Sequence, residues 1–152
     1  TLKEVIETSS SDHQTAGSKF LASVIVGGQI KGGLSTLFMI YPEGNFIEIT
    51  DDSPFFQIGE AKYGKPILVR AYEASMSFED AIKLLMVSFD STIKANLSVG
   101  MPLDLQIYET DSFTVSNQPR IEVDNRYFQE ISESWGDALR TALTQLPSYT
   151  RS

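Results

Sequence analysis

The side chains best suited to chemistry gather at 95–100, Ala95-Asn96-Leu97-Ser98-Val99-Gly100, where an amide and a hydroxyl sit among apolar neighbours. Either they close a helix or they line a site, and these residues alone leave both readings open. His13, the single histidine, lies in the polar segment SSSDHQTAGS with no Asp or Glu pair at ligand spacing. It reads as an exposed loop histidine, not a metal ligand or a general base. Asp51-Asp52-Ser53-Pro54 places two carboxylates together, yet a solvated acidic turn accounts for them without a metal. The glycines at 27–28 and 32–33 lack both GK[ST] and a GxGxxG between strand and helix, so no nucleotide site is expected. No cofactor and no metal is expected. With no cysteine, the chain has no disulfide, thiolate ligand or cysteine nucleophile.

The residues at 95–100 are positioned by the stretch before them. Ser77 is a helix cap, and Asp80 three residues on favours the positive helix end. Phe78, Ala81, Ile82, Leu85 and Phe89 then recur on one face of a 3.6-residue period. A second row, Leu84, Ser88, Ser91 and Ala95, is small from Ser88 onward and lets a neighbouring element approach closely. Gly100-Met101-Pro102 stops the run.

Upstream, Leu2, Val5 and Ile6 suggest the end of a helix within residues 1–8. Phe20 to Val26 is a continuous apolar run, as in a strand covered on both faces, ended by Gly27-Gly28. Thr36 to Tyr41 and Phe46 to Thr50 read as returning strands around the turn Pro42-Glu43-Gly44-Asn45, giving an antiparallel meander. Phe55 to Ile58 reads as a short strand turned sharply at Gly59, and Lys65 to Tyr72 as a short helix. Downstream, Leu103, Leu105 and Ile107 alternate with polar residues, which predicts a half-buried strand. A turn at Thr110-Asp111-Ser112 would lead to a strand at Phe113-Thr114-Val115. From Asn125 on, Phe128, Ile131, Trp135, Ala138, Leu139, Ala142, Leu143 and Leu146 keep helical spacing until Pro147. An α+β sheet layered with helices follows.

The 152 residues suit one domain, and 41% apolar with 21% charged residues is ordinary globular composition. A net charge of -8 argues against nucleic acid or an anionic membrane as partner. No stretch approaches the ~20 apolar residues of a membrane span, and no signal-peptide pattern opens the sequence. A cytoplasmic location is expected.

Taken in order, several blocks resemble a proteasome-type β subunit, and most closely the bacterial proteasome-like family called Anbu. They are FLASVIVGGQIKG (Phe20 to Gly32), LFMIYPEGNFIE (Leu37 to Glu48), FFQIGEAKYGKPIL (Phe55 to Leu68), SFDSTIKANLSVGMPLDLQIYE (Ser88 to Glu109) and SESWGDALRTALTQLP (Ser132 to Pro147). The resemblance implies the N-terminal nucleophile hydrolase fold, two stacked antiparallel sheets between helix layers, with residues 1–152 forming the C-terminal part of a single domain. It implies peptide-bond hydrolysis by an N-terminal Thr or Ser whose own α-amine is the base, a fitting role for a group of pKa ~7.7–8.0.

In that family a lysine lowers the nucleophile's pKa and an aspartate orients the lysine; both are expected upstream of this chain with the nucleophile. Thr1 does not fit the part. LKEVIETSSS behind it looks helical or polar, Lys3 is too close, and Asp12 falls in a loop. No catalytic residue is therefore expected in this chain, whose fold should be incomplete on its N-terminal side. What the resemblance does map here is the setting of the terminal amine. A family serine after the glycine turn falls on Glu60, and an Asp-x-x-Ser-Gly motif falls on Ala95 to Val99. Ser98 matches the serine, Ala95 replaces the aspartate, and Glu60 stands as a compensating carboxylate, with Asn96 beside them.

Two functional readings follow. One is a portion of a threonine-type peptidase, inactive alone, working on peptide or protein substrates in a homo-oligomeric ring or open spiral. The other is a non-catalytic assembly or binding subunit of the same fold, with another amide hydrolase of the superfamily as a third option. Missing strands would leave sheet edges and apolar surface uncovered, so the chain is expected to oligomerise.

Overall fold

The computed structural model describes residues 22–114 and 119–150. The chain is α+β, with two antiparallel sheets and three helices among those residues. It divides into two compact units, one of residues up to 58 together with 109–113, the other of 59–108 with 114 onward.

The first unit is a meander of β1 (Val24–Gly28), β2 (Thr36–Ile40) and β3 (Phe46–Glu48) in that spatial order. Its register pairs Ile25 with Met39 and Met39 with Ile47. The predicted turn forms: Gly44, at φ 90°, donates its N–H to the Tyr41 carbonyl at 2.9 Å. Phe38 and Phe46 meet edge to face at 5.7 Å between centroids, reinforcing the β2–β3 pair.

The glycines end β1, as its last two residues rather than beyond it. Gly27 and Gly28 pair with Leu37 and Thr36 inside the ladder, and a Cβ on Gly27 would sit 2.6 Å from Leu37 Cδ1. Gly27 thus makes room for the leucine. The strand is not covered on both faces, since Val26 is 46% exposed; Phe20 and Leu21 lie outside the described residues.

The β1–β2 loop is pinned from far along the chain. Gln29 Nε2 donates to Asp111 Oδ1 at 2.8 Å and to the Gly33 carbonyl at 2.8 Å, while Asp111 N–H donates back to Gln29 Oε1 at 2.7 Å. Ser35 and Thr110 hydroxyls bond at 2.9 Å.

Among the described residues the five buried apolar side chains, Leu68, Met86, Val87, Ile121 and Phe128, all lie in the second unit. Helix α1 (Lys65–Ala71) has Pro66 in its first turn, where a missing N–H costs nothing. Helix α2 (Phe78–Ala95) starts as predicted, with Ser77 Oγ accepting the Asp80 N–H at 3.1 Å. Helix α3 (Arg126–Gln145) is capped by Asn125, whose Oδ1 accepts the Phe128 N–H at 3.0 Å. Met86, Ile121 and Phe128 form the core, with Ile82, Ile93, Met101, Leu103 and Ile131 packed against it. Lys94 of α2 adds a polar tie, reaching the buried Asp90 at 3.2 Å and Ser132 Oγ of α3 at 2.7 Å.

Three predicted strands are corrected. Phe55 to Ile58 runs as irregular chain: its apolar pattern records partial burial, not a ladder. The strand expected from Leu103 to Tyr108 shortens to β4 (Leu103–Asp104), paired with β5 (Arg120–Ile121). Leu105 still donates to the Pro119 carbonyl at 3.2 Å, but proline has no N–H to return and the ladder stops. No strand starts at Phe113, because Asp111 and Phe113 hold φ of 65° and 48°; Val115 lies outside the described residues.

Candidate functional site

The structure brings Glu60, Asn96 and Ser98 together within the second unit. Gly59, at φ 80°, turns the chain so that Glu60 leaves it as a partly buried side chain. Asn96 sits at the C-terminal cap of α2, its N–H bonded to the Thr92 carbonyl at 2.9 Å while its own backbone is extended. That break in the helix frees the Asn96 side chain to face the Glu60 turn.

The contacts run in one direction. Ser98 Oγ donates to Asn96 Oδ1 at 2.7 Å, and the Ser98 N–H donates to the same oxygen at 2.9 Å. Asn96 Nδ2 then donates to Glu60 Oε2 at 2.8 Å. The Lys62 N–H reaches the other carboxylate oxygen, Oε1, at 2.8 Å. The Lys62 amide is the foremost cause holding the Glu60 carboxyl below its ordinary range, partial desolvation opposes it, and Asn96 and the Lys62 charge add to the lowering. Glu60 is therefore an anion near neutral pH. With its proton committed to Asn96, the exposed Ser98 oxygen presents lone pairs outward. The line as a whole is an acceptor, suited to a cationic or neutral N–H donor and unsuited to an anion.

Gly64 fixes how near the turn approaches α2. A Cβ there would meet Thr92 Oγ1 at 2.9 Å and the Ser88 carbonyl at 3.0 Å, and would overlap Ser88 Oγ. The small row predicted on α2 thus receives Gly64 at Ser88, with Thr92 as an additional contact. Gly64→Ala is expected to destabilise the protein by about 1–3 kcal/mol, because both neighbours are buried and the backbone carbonyl cannot yield. Urea denaturation checks this; an unchanged midpoint would mean α1 shifts without cost.

Two contributions were not legible in the sequence: the Lys62 amide, a backbone group that any residue supplies, and Gly64, whose partner lies 24–28 positions away. Asp51 and Asp52 stand in an exposed turn, with Ser53 N–H bonded to the Thr50 carbonyl at 3.0 Å. Thr1, Lys3, Asp12 and His13 lie outside the described residues. Among the described residues no group of three or more His, Asp or Glu is placed to hold a metal, and no helix is long and apolar enough to cross a membrane.

Comparison with known proteins gives a consistent result. Residues 1–107 match the family model for the proteasome subunit. Three solved structures are similar over nearly the whole chain. An Anbu (Gly-1) mutant from Hyphomicrobium sp. strain MC1 is 51% identical over 98% of this chain, with a TM-score of 0.87. Anbu, the ancestral beta-subunit, from Yersinia bercovieri is 45% identical over 99%, with a TM-score of 0.88. The helical assembly of the Anbu complex from Pseudomonas aeruginosa is 45% identical over 97%, with a TM-score of 0.89. The chain spans 61%, 62% and 61% of those three chains. No curated protein matches significantly.

Proposed function

The chain belongs to the proteasome-subunit family, and we propose that it is part of a cytoplasmic, proteasome-like peptidase that cleaves peptide bonds with an N-terminal threonine or serine. In this reading residues 1–152 belong to one hydrolase domain, the nucleophile lies upstream of them, and the chain alone is inactive. The observation that carries the proposal is the line Ser98–Asn96–Glu60. Such a nucleophile needs its α-amine held in place and close to neutral pKa. An outward-facing hydroxyl oxygen, backed through an amide by a carboxylate, supplies an acceptor of the required polarity. Glu60 then takes the part that Ala95, standing where the family has aspartate, cannot. The Pseudomonas relative, solved as a helical assembly, supports a homo-oligomer.

The test is hydrolysis of a fluorogenic peptide by the full-length protein, with epoxyketone labelling of its N-terminal residue. Absence of both would favour the second reading, a non-catalytic assembly subunit, to which the alanine at position 95 already points. Glu60→Gln then probes the amine. The Glu60 pKa is depressed, so its charge is present through neutral pH and is lost only as pH falls through that lowered value. The nearby anion raises the amine's pKa, and the amine is a base only when neutral. Removing the charge should therefore move the acidic limb of kcat/KM to lower pH by about half a unit. An unmoved limb would remove Glu60 from the mechanism.

A further inference from the structure

Among the described residues three polar side chains are buried, Ser88, Asp90 and Thr92, and all three lie in the last two turns of α2, just before Asn96. Ser88 and Thr92 share one edge of the helix and receive Gly64. At 100° per residue, Asp90 and Lys94 form a second edge, roughly 160° around the helix from the first. Here the Lys94 ammonium donates to Asp90 Oδ2 at 3.2 Å and to Ser132 Oγ of α3 at 2.7 Å. The end of α2 is thus gripped on one side by the turn that carries Glu60, and on the other by α3.

Stability does not account for the second grip. Asp90 is the one charged side chain buried among the described residues, 5% exposed against 59% for Lys94. Taking a carboxylate out of water costs about what a half-exposed ammonium returns, so an apolar residue at position 90 would hold α2 to its neighbours as well. What the pair adds is direction. Two bonds from one ammonium fix both the rotation of the last turn of α2 and its distance from α3. The apolar contacts fix these less closely: Met86 lies about 15 Å before Asn96, and Ile93 packs against the core only partly buried. Lys94 stands two residues from Asn96, in the turn that ends at the site.

We infer that Lys94 is a positioning residue for the candidate site: its bonds to Asp90 and Ser132 set where the last turn of α2 ends, and so hold the Asn96 amide between Glu60 and Ser98. The inference rests on the peptidase reading for its catalytic consequence, and adds α3 to the parts on which the site depends. A shift of about 1 Å at Asn96 breaks a line whose contacts are 2.7 to 2.9 Å long, and misplacement of that size costs up to about a hundredfold in rate.

The test removes the α3 leg alone, with Ser132→Ala in the full-length protein, which leaves Asp90 paired with Lys94. Two quantities are read: amide hydrogen exchange across residues 96–100, where Asn96 Oδ1 holds the Ser98 N–H, and hydrolysis of a fluorogenic peptide. Exchange there is expected to quicken at least about threefold, while residues 80–90 exchange as in wild type. The kcat should fall about tenfold with KM unchanged, and Ser132→Thr, which keeps the hydroxyl, should recover most of the loss. Lys94→Met, which removes both legs, should cost about thirtyfold. Unchanged exchange in Ser132→Ala overturns the inference, whatever the activity does. Exchange that quickens along the whole of α2 marks a general loosening and overturns it as well, as does local quickening with wild-type hydrolysis. Should the wild type hydrolyse no peptide, the peptidase reading fails, and exchange alone decides whether Lys94 positions Asn96.

Discussion

Asn96→Ala in the full-length protein is expected to reduce peptide hydrolysis about a hundredfold while lowering stability by only about 1 kcal/mol. Asn96 is where the line is joined: its amide donates to Glu60 and its carbonyl oxygen accepts from Ser98 twice. Alanine leaves Glu60 held by the Lys62 amide but detached from Ser98, whose hydroxyl is then free to turn. The helix end does not depend on the side chain, because position 96 is already extended and its N–H bonds to Thr92, although the exposed Ser98 N–H loses its acceptor. Asn96→Asp makes the sharper distinction. Two carboxyls would then face each other across a hydrogen-bond distance, and only a shared proton restores the contact. Its residual activity should rise as pH falls through the upper titration of the pair. A merely structural asparagine would give loss without that pH dependence, and wild-type rates in both variants would remove the line from catalysis.

Met86→Ala is the largest expected loss of stability, about 2–5 kcal/mol. Met86 is 2% exposed and joins α2 to both Ile121 and Phe128. Among the described residues five apolar side chains are buried, so the loss of one is a large share of the ~5–15 kcal/mol that a domain commands. Urea unfolding should show a lower midpoint with an unchanged slope. A loss below 1 kcal/mol would mean that the core relaxes around the cavity.

The helices were legible because their signals are local. Ser77 caps α2 through the Asp80 N–H as read, and Phe128 and Ile131 lie on the face that the periodicity selected. The strands were less legible because alternation marks faces but names no partner. Leu103 to Tyr108 carried the pattern, yet Pro119 across from Leu105 ended the pairing. Phe113 looked like a strand residue until its positive φ made it part of a turn. The candidate site divides in the same way. Asn96 and Ser98 showed as polar residues at a helix end, whereas Glu60 emerged only through family resemblance, since nothing local marks a carboxylate 36 residues away as their partner.

The Gln29–Asp111 clasp bears on the order in which the protein takes shape during synthesis. These two residues stand 82 positions apart, and the sequence between them includes α1 and α2. At roughly 5–20 residues per second, the β1–β2 loop emerges some 4–16 s before the residue that fastens it. Through that interval the meander exists without its clasp, its apolar strands open to any neighbour. A nascent chain is then most exposed to mispairing while the residues between the meander and Asp111 are still being made, and a chaperone that shields β1 to β3 would have its greatest effect in those seconds.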